Sequence, residues 1–215
     1  SYQCRPRSIP KNFQPVIMQR FAIPAVLLAL CTSAAFLPET SVPYDGPTGA
    51  FTVDTGHSAV MFRIKHMDVA YNYGRFNEFS GALTLDAKPA NCKVEITLRT
   101  GSVDTNDEKR DGHIMSGDFL GAEDFPEATF TSTKVAVKDK TYTVTGDLAL
   151  HGKTKEVTFD MEMTGFAAET RMGPKLGFEG RLEIDRREFG IETYPNEALS
   201  DKITLILAIE ANGVE

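Results

Sequence analysis

Four histidines, His57, His66, His113 and His151, are the side chains of this sequence best suited to acid–base or metal chemistry. No two of them stand four residues apart, which is the spacing of a helical zinc motif, and no Cys-x-x-Cys pair accompanies them. The Gly-x-Ser-x-Gly turn of a serine nucleophile and a glycine-rich phosphate loop are absent as well. The sequence therefore predicts no metal site, no catalytic residue and no cofactor.

His66 has the most informative surroundings of the four histidines. It ends a segment in which Phe62 and Ile64 alternate with basic residues, so its side chain is expected on the apolar side. Two interpretations stay open: a buried histidine with satisfied hydrogen bonds, or a ligand for a polar group at the edge of the interior. His151 lies on a glycine turn and is expected to be solvated.

The densest group of polar residues lies near the middle of the chain. Thr105 followed by Glu108 fits a capping box and predicts a helix from Asn106 to Ser116. Arg110 and His113 are three residues apart and would share one face of this helix. That face is either simply solvated, or it points to the opening of a cavity and contacts a polar or anionic head group there.

From residue 50 onward, hydrophobic and polar residues alternate with a period of two. This pattern is typical of β-strands, which must position the side chains named above. The pattern predicts eight or nine strands joined by hairpin-sized turns such as Lys138-Asp139-Lys140 and His151-Gly152-Lys153. Each strand has one apolar face, so the sheet must close on itself or stack on a second layer.

Closure into a barrel is favoured over a two-sheet sandwich, because helices are almost absent and the strands run to about ten residues. The predicted fold is therefore all-β, an eight-stranded antiparallel β-barrel with one short α-helix near a barrel end. A lumen of this size either fills itself or holds one elongated ligand. Gly81, Gly146 and Gly180 lie on apolar faces and are expected to leave space, which favours a cavity.

The first fifty residues are interpreted as targeting sequence and linker. Residues 1–17 form an upstream extension, and residues 18–35 form a secretory signal peptide with a basic start, a short apolar run and a small-residue exit. Residues 36–49 are a flexible lead-in, and residues 50–212 form the barrel domain. Lipidation of Cys31 is the alternative to cleavage, but Leu30 stands where a small residue is required.

Charge and cysteine content limit the partners. The formal net charge is −7, and no acidic residue occurs in the first 35 residues, so the acidic excess lies in the barrel. An acidic barrel would repel a phosphate backbone, which excludes nucleic acid as a partner. Cys92 is the only thiol left after cleavage and is expected to be half-buried and unreactive, while a homodimer stays open.

Several ordered motifs resemble those of one protein family. They are His57-Ser58-x-x-x-Phe62-x-Ile64-Lys65-His66, Gly74-Arg75-Phe76-x-x-Phe79-Ser80-Gly81, Ser102-Val103-Asp104-Thr105-x-Asp107-x-Lys109-Arg110-Asp111-x-His113, Phe125-Pro126-x-Ala128-Thr129-Phe130-x-Ser132-Thr133, Gly146-Asp147-Leu148-x-Leu150-His151-Gly152-x-Thr154-Lys155 and Phe189-Gly190. Together, over roughly residues 50–212, they resemble the YceI-like family of bacterial secreted lipid-binding proteins. Met115, Gly117 and Leu120 depart from that pattern, most clearly Leu120, where the family usually has a second Phe.

The resemblance implies an extended, lipocalin-like barrel that binds a long amphiphilic lipid, such as a polyisoprenoid, an isoprenoid quinone or a fatty-acid derivative. It also implies a periplasmic, non-enzymatic protein that carries or stores the lipid, with at most transient membrane contact. The expected lumen residues are Phe62, Ile64, Phe79, Leu83, Ile96, Leu98, Phe130, Leu148, Phe159, Met161, Phe178, Leu182 and Leu205. The head-group candidates are His66, Arg110 and His113. The alternatives are an enzyme acting on a hydrophobic isoprenoid-like substrate and a small metal or haem carrier.

Overall fold

A computed structural model describes residues 46–214. The predicted upstream extension, the signal peptide with Cys31 and most of the predicted lead-in lie outside these residues. The described chain is mostly strand, with one α-helix and three short 3-10 turns. None of the helices in residues 46–214 is long and apolar enough to cross a bilayer.

Eleven strand segments follow one another along the chain. They are β1 (Gly49–Val53), β2 (Ala59–His66), β3 (Ala70–Phe76), β4 (Phe79–Leu85), β5 (Lys93–Arg99), β6 (Val103–Asp104), β7 (Glu127–Lys138), β8 (Thr141–Leu150), β9 (Lys153–Ala167), β10 (Lys175–Asp185) and β11 (Leu199–Gly213). The helix α1 (Glu108–Met115) lies between β6 and β7.

The segments form a closed antiparallel barrel of eight chain passages. β1 and β2 are two parts of one interrupted passage, because both pair with β11, and β3/β4 and β5/β6 are interrupted in the same way. The ladder then runs from β7 through β11, and pairs such as Phe51 with Gly213 close the ring. The predicted eight-stranded barrel is therefore confirmed, and the sandwich is not formed.

Alternation explains why the barrel has an apolar interior. On β10, the side chains of Leu176, Phe178, Leu182 and Ile184 are buried, whereas Glu179, Arg181 and Glu183 between them are exposed. Successive strand residues point to opposite faces, so each passage contributes one apolar row to the interior. The turns at 139 and 151–152 have positive φ, as tight hairpins between twisted strands require.

The predicted helix start is wrong by two residues. Asn106 has a φ of 62°, which helical backbone does not allow, and Asp107 is the N-cap, accepting a hydrogen bond from the backbone N–H of Arg110 at 3.0 Å. Thr105 does not cap the helix because its hydroxyl is engaged by Asp111 and Arg110. The helix accordingly begins at Glu108 and ends at Met115, not at Ser116.

The expectation that strand glycines leave empty space is also wrong. A Cβ at Gly81 would collide with Ile96, one at Gly146 would lie 2.7 Å from the ring of Phe130, and one at Gly180 would collide with Met161. Neighbouring side chains already fill the space above these glycines. Their role is to let a cross-strand side chain lie flat on the backbone.

Candidate ligand-binding cavity

An elongated cavity of about 640 Å³ occupies the barrel interior. Its lining includes residues from both ends of the barrel, from Tyr194 on the loop before β11 to Cys92 before β5. Most of the lining side chains are aliphatic or aromatic. The volume is within the range of pockets that hold small organic ligands, and the walls favour an apolar one.

One end of the cavity, here called the closed end, is sealed by apolar packing. Leu85, Cys92, Val135, Tyr142 and Ile209 line the cavity there, and each is at most 8% exposed. Burial raises the pKa of the Cys92 thiol, and its Sγ accepts a hydrogen bond from the backbone N–H of Asp86. Cys92 is therefore more deeply buried than expected, and its raised pKa makes it a weak nucleophile.

The opposite end, here called the mouth, is open. Met67 and Tyr194 line the cavity and yet are 61% and 48% exposed. The tip of the β2–β3 hairpin, α1 with the loop that follows it, and the loop between β10 and β11 all contribute lining residues to the mouth. The cavity is therefore accessible from this end.

Twelve of the thirteen predicted lumen residues line the cavity. The exception is Phe79, which does not reach it and packs against its neighbouring core side chains. Phe79 is the first residue of β4 and follows the interruption at Asn77 and Glu78. Phe79 packs against both core clusters, so alternation predicted its face correctly but not its position relative to the cavity. That the twelve residues bind lipid stays a prediction.

The three predicted head-group residues, His66, Arg110 and His113, come together at the mouth. All three are exposed rather than enclosed by the core, so the interpretation of His66 as a buried histidine is wrong. The His66 ring makes no hydrogen bond or ion pair with any residue in the described range 46–214. It is available to an incoming polar group.

Arg110 is held in place by the segment before the helix. Its Nε donates to Thr105 Oγ1 and its Nη2 donates to the Thr105 carbonyl oxygen, both at 2.7 Å. Thr105 is buried, and its hydroxyl donates in turn to Asp111. Two of the three guanidinium nitrogens are therefore fixed by the protein, and the third can donate to a carboxylate, phosphate or carbonyl at the mouth.

His113 is part of an aromatic group beside Arg110. Its ring contacts Phe119 edge-on with centroids 5.0 Å apart, and Tyr194 at 6.2 Å. Nε2 of His113 lies 3.4 Å from a carboxylate oxygen of the exposed Asp118. The mouth therefore offers a planar cation, two imidazoles and aromatic faces within one opening.

Arg186 is the functional-site residue that the sequence reading missed. Its side chain is fully buried and lines the mouth side of the cavity, although every donor is occupied. It donates to Asp201 Oδ1 at 2.9 Å. It also donates to five backbone carbonyl oxygens, those of Ile191, Thr193, Tyr194, Leu199 and Ser200.

These bonds hold the loop between β10 and β11 at the mouth. Burial lowers the pKa of Arg186, which Asp201 partly offsets, and an arginine stays charged under these conditions. The sequence contained a signal for this burial. Arg186 follows Leu182 and Ile184 at intervals of two residues, so the alternation places it on the same inward face. A basic residue on the inward face of a strand pattern points to a satisfied buried charge.

His151 is not solvated as predicted. Its ring is half-buried, stacks edge-on against Phe125 at 4.9 Å and has Nδ1 3.1 Å from the carbonyl oxygen of Phe189. It ties the β8–β9 turn to the 3-10 turn after β10. Its role is structural.

Outside the cavity, a group of side chains with the spacing of a cation site already has a lysine as its positive partner. Asp54, His57 and Glu210 bring their ligand atoms within 4.8 Å of one another near the closed end. The ammonium of Lys175 lies 2.7 Å from Glu210 and 3.5 Å from Asp54. The hydrogen bond from His57, followed by that from Asn212, lowers the pKa of Asp54 to about 2. The group is an ion-pair network.

Comparison with known proteins agrees with this architecture. The profile of the YceI-like domain matches residues 51–211. The chain belongs to the YceI-like family. A UPF0312 protein of Yersinia enterocolitica is 43% identical over 155 residues, which cover 72% of this chain and 80% of that protein.

Two solved structures share the YceI-like barrel. Burkholderia cenocepacia BcnA superposes with a TM-score of 0.69 at 27% identity, over 74% of this chain and 99% of BcnA. A domain from Saccharophagus degradans, described as polyisoprenoid-binding, superposes with a TM-score of 0.62 at 18% identity, over 78% of this chain and all of that domain. The second similarity establishes the fold alone.

The departure from the YceI-like pattern at Leu120 is accommodated at the mouth. Leu120 is 9% exposed and packs in a second core cluster, together with Val60, Phe62, Phe76, Val103 and Ile191. Met115 packs against the same cluster. The loop after the helix is therefore anchored by an aliphatic side chain at this position.

Proposed function

We propose that this YceI-like protein binds a long amphiphilic lipid, with the chain in the barrel and the polar end at the mouth. The observation that carries the proposal is the difference between the two ends of the cavity. One end is apolar and sealed, and the other is open and lined by Arg110, His66 and His113. Each buried methylene contributes about 0.8 kcal/mol, so a long chain binds tightly with few polar contacts.

The ligand class is a polyisoprenoid, an isoprenoid quinone or a fatty-acid derivative. Family membership supports a binding protein of this kind, and the Saccharophagus degradans domain, which shares the barrel, is described as polyisoprenoid-binding. The predicted signal peptide supports a periplasmic location, where the protein would carry or store the lipid. A second copy of the chain is not needed to complete the cavity.

Binding rather than catalysis is supported by where the reactive groups lie. Arg186 has its donors committed to the loop, and Cys92 has a raised pKa at the closed end. The remaining histidines and basic residues of the lining, His66, Arg110 and His113, are at the mouth, away from the part of the cavity that would hold the apolar chain. They are placed to hold a polar end.

The test is native mass spectrometry of the purified chain, followed by mass spectrometry of its organic extract. We expect one lipid per chain, released by organic solvent. An empty protein that takes up no added polyisoprenoid, quinone or fatty acid would contradict the proposal, and so would a bound haem or metal ion.

A matched pair of variants locates the ligand. Phe159 is half-buried and lines the cavity, whereas the adjacent Thr158 points outward and is exposed. Phe159→Glu should lose the lipid, because a carboxylate in the apolar lumen is costly to desolvate, and Thr158→Glu should keep it. Equal lipid content in both variants, with folding verified by urea unfolding, would remove the lumen as the site.

A further inference from the structure

The β2–β3 hairpin exposes an unusual group of large apolar and aromatic side chains. Val69 is 84% exposed and Met67 61%, and Tyr71 and Tyr73 are 49% and 54% exposed. Met67 and Asp68 have φ values of 52° and 54°, which make the tight turn at the tip. We name Met67, Val69, Tyr71 and Tyr73 the rim surface. Exposed apolar groups clustered at one place mark an interaction site.

The rim surface is continuous with the cavity. Met67 and Tyr73 belong to it and also line the cavity, and Tyr194 adds an exposed aromatic ring on the loop before β11. Along the hairpin, an apolar chain that leaves the cavity meets Met67 and Tyr73, while His66, Arg110 and His113 line the same mouth. The partner of the rim surface is therefore also a source or destination of such chains.

The charge of the hairpin differs from that of the whole chain. Residues 59–76 contain three basic residues, Arg63, Lys65 and Arg75, and one acidic residue, Asp68, whereas the chain has a net charge of −7. Lys65 pairs with Asp68 at 3.2 Å, Arg75 lies opposite Asp104, and the Arg63 guanidinium lies 4.5 Å from the ring centre of Tyr71. Acidic residues such as Glu192 and Glu197 lie on the loop before β11, outside the hairpin.

We propose that the rim surface docks on an anionic lipid bilayer, with Val69 and Met67 in the acyl region and the basic residues and tyrosines at the head groups. Aromatic and basic side chains around an apolar tip suit the interface between water and lipid. This inference rests on the proposed function in one respect: docking would let a lipid pass directly between the bilayer and the cavity.

The closed end provides a matched control. Met172, between β9 and β10, is 70% exposed, so its exposure resembles that of Met67 and Val69. It does not line the cavity, and the closed end near it is sealed by buried side chains. If exposed apolar groups alone caused binding, Met172 would insert as well as Val69.

The chain contains no tryptophan, so a single introduced one reports its own surroundings. Val69→Trp and Met172→Trp are prepared in the full chain and mixed with vesicles of equal parts phosphatidylcholine and phosphatidylglycerol. The apolar run at 21–30 is present in both variants, so only the local signal differs between them. We expect the Val69→Trp emission to shift to the blue and to be quenched by lipids brominated in the acyl chains, and the Met172→Trp emission to stay unchanged.

The contribution of the basic residues to vesicle binding is tested with the same tryptophan reporter. Lys65→Gln in the Val69→Trp background should weaken the affinity for these vesicles about fivefold, and pure phosphatidylcholine should bind more weakly than the mixture. An unchanged Val69→Trp emission would overturn the proposal, as would an equal response from Met172→Trp. A concentration-dependent dimer lost in Val69→Asp, without any vesicle response, would assign the rim surface to a second copy of the chain instead.

Loading of the cavity separates this proposal from the proposed function. Val69→Asp should take up a polyisoprenoid alcohol from detergent as the unaltered chain does, but should extract it from vesicles more slowly. If neither chain takes up lipid from detergent, the proposed function fails, whatever the vesicle response. If both load from detergent and extract from vesicles at the same rate, docking fails and the binding function stands.

Discussion

The two ends of the barrel are held together by different interactions. At the closed end, buried apolar side chains such as Leu85, Tyr142 and Ile209 seal the cavity. Lys175 lies outside that seal, in a partly exposed network with Glu210 and Asp54. At the mouth, the fully buried Arg186 holds an irregular loop through its backbone carbonyl oxygens.

The difference follows from what each end must do. A sealed end can pair its backbone in the sheet and exclude water with side chains alone. An open end interrupts the sheet, and its loop carbonyls lose their ladder partners. One buried guanidinium bonds five carbonyl oxygens and the Asp201 carboxylate, with the two N–H groups of Nη2 shared among three acceptors, and leaves the opening in place. At the mouth, the loop between β10 and β11 therefore relies on one side chain for these hydrogen bonds, whereas the closed end is sealed by many side chains.

Removing Arg186 should have the largest effect on stability. Arg186→Met leaves several buried carbonyl oxygens without their donor and leaves Asp201 with Arg187 as its remaining arginine partner, and we expect the free energy of unfolding to fall by about 3–5 kcal/mol. Urea unfolding measures the change. Arg187→Met is the control: Arg187 also bonds Asp201 but is partly exposed, so its loss should cost about 1 kcal/mol or less. Equal losses of unfolding free energy in the two variants would contradict the view that Arg186 holds the mouth.

Filling the closed end should shorten the chain that the cavity accepts. Val144 is buried and lines the cavity, and Val144→Phe would displace about three methylenes of ligand, or roughly 2 kcal/mol of binding free energy. Isoprenoid alcohols of increasing length, titrated by calorimetry, should show the loss only for the longer members. A uniform loss at every length would indicate damage to the fold rather than a shorter cavity.

Changing the mouth should alter head-group preference without altering chain length. Arg110→Ala removes a charged donor, and the affinity for a lipid with an anionic head should fall by about 1.5 kcal/mol, roughly tenfold, relative to a neutral analogue. Lys109→Ala, an exposed neighbour on the same helix that does not line the cavity, is the matched control. If both variants behave alike, Arg110 has no specific contact with the head group.

The ion-pair network should be the weakest contributor, and acid should reveal it. The pKa of Asp54 falls from an ordinary 3.8 to about 2 in the folded chain, so its contribution to stability is complete above about pH 4 and is lost as the pH falls through 2. Urea unfolding between pH 5 and about 2 should show a shallower decline for Asp54→Asn. The slope that remains is expected from Asp104 and Asp107, whose pKa values are lowered by backbone hydrogen bonds. A slope equal to that of the unaltered chain would show that Asp54 does not contribute to the pH dependence of stability.

Alternation predicted the face of the sheet on which each side chain lies, but not its position along the barrel axis. Phe62, Leu148 and Leu205 therefore line the cavity as predicted. Phe79 also lies on the interior side, packed against both core clusters, but it does not line the cavity. The helix start was misplaced because Thr105 is engaged by Arg110 and Asp111 and cannot act as the cap.

The sequence by itself determined the all-β class and most of the residues that face the lumen, because a period of two and hairpin turns are local properties of the chain. It favoured the closed barrel over a sandwich, and its ordered motifs, rather than its periodicity, indicated the family. Only the tertiary structure decided which end is open, that Arg186 holds the mouth and that the strand glycines are covered by their neighbours. These features depend on contacts between distant segments, such as Arg186 with the loop up to Asp201 and the pairing of Phe51 with Gly213. Local spacing carries no record of such contacts.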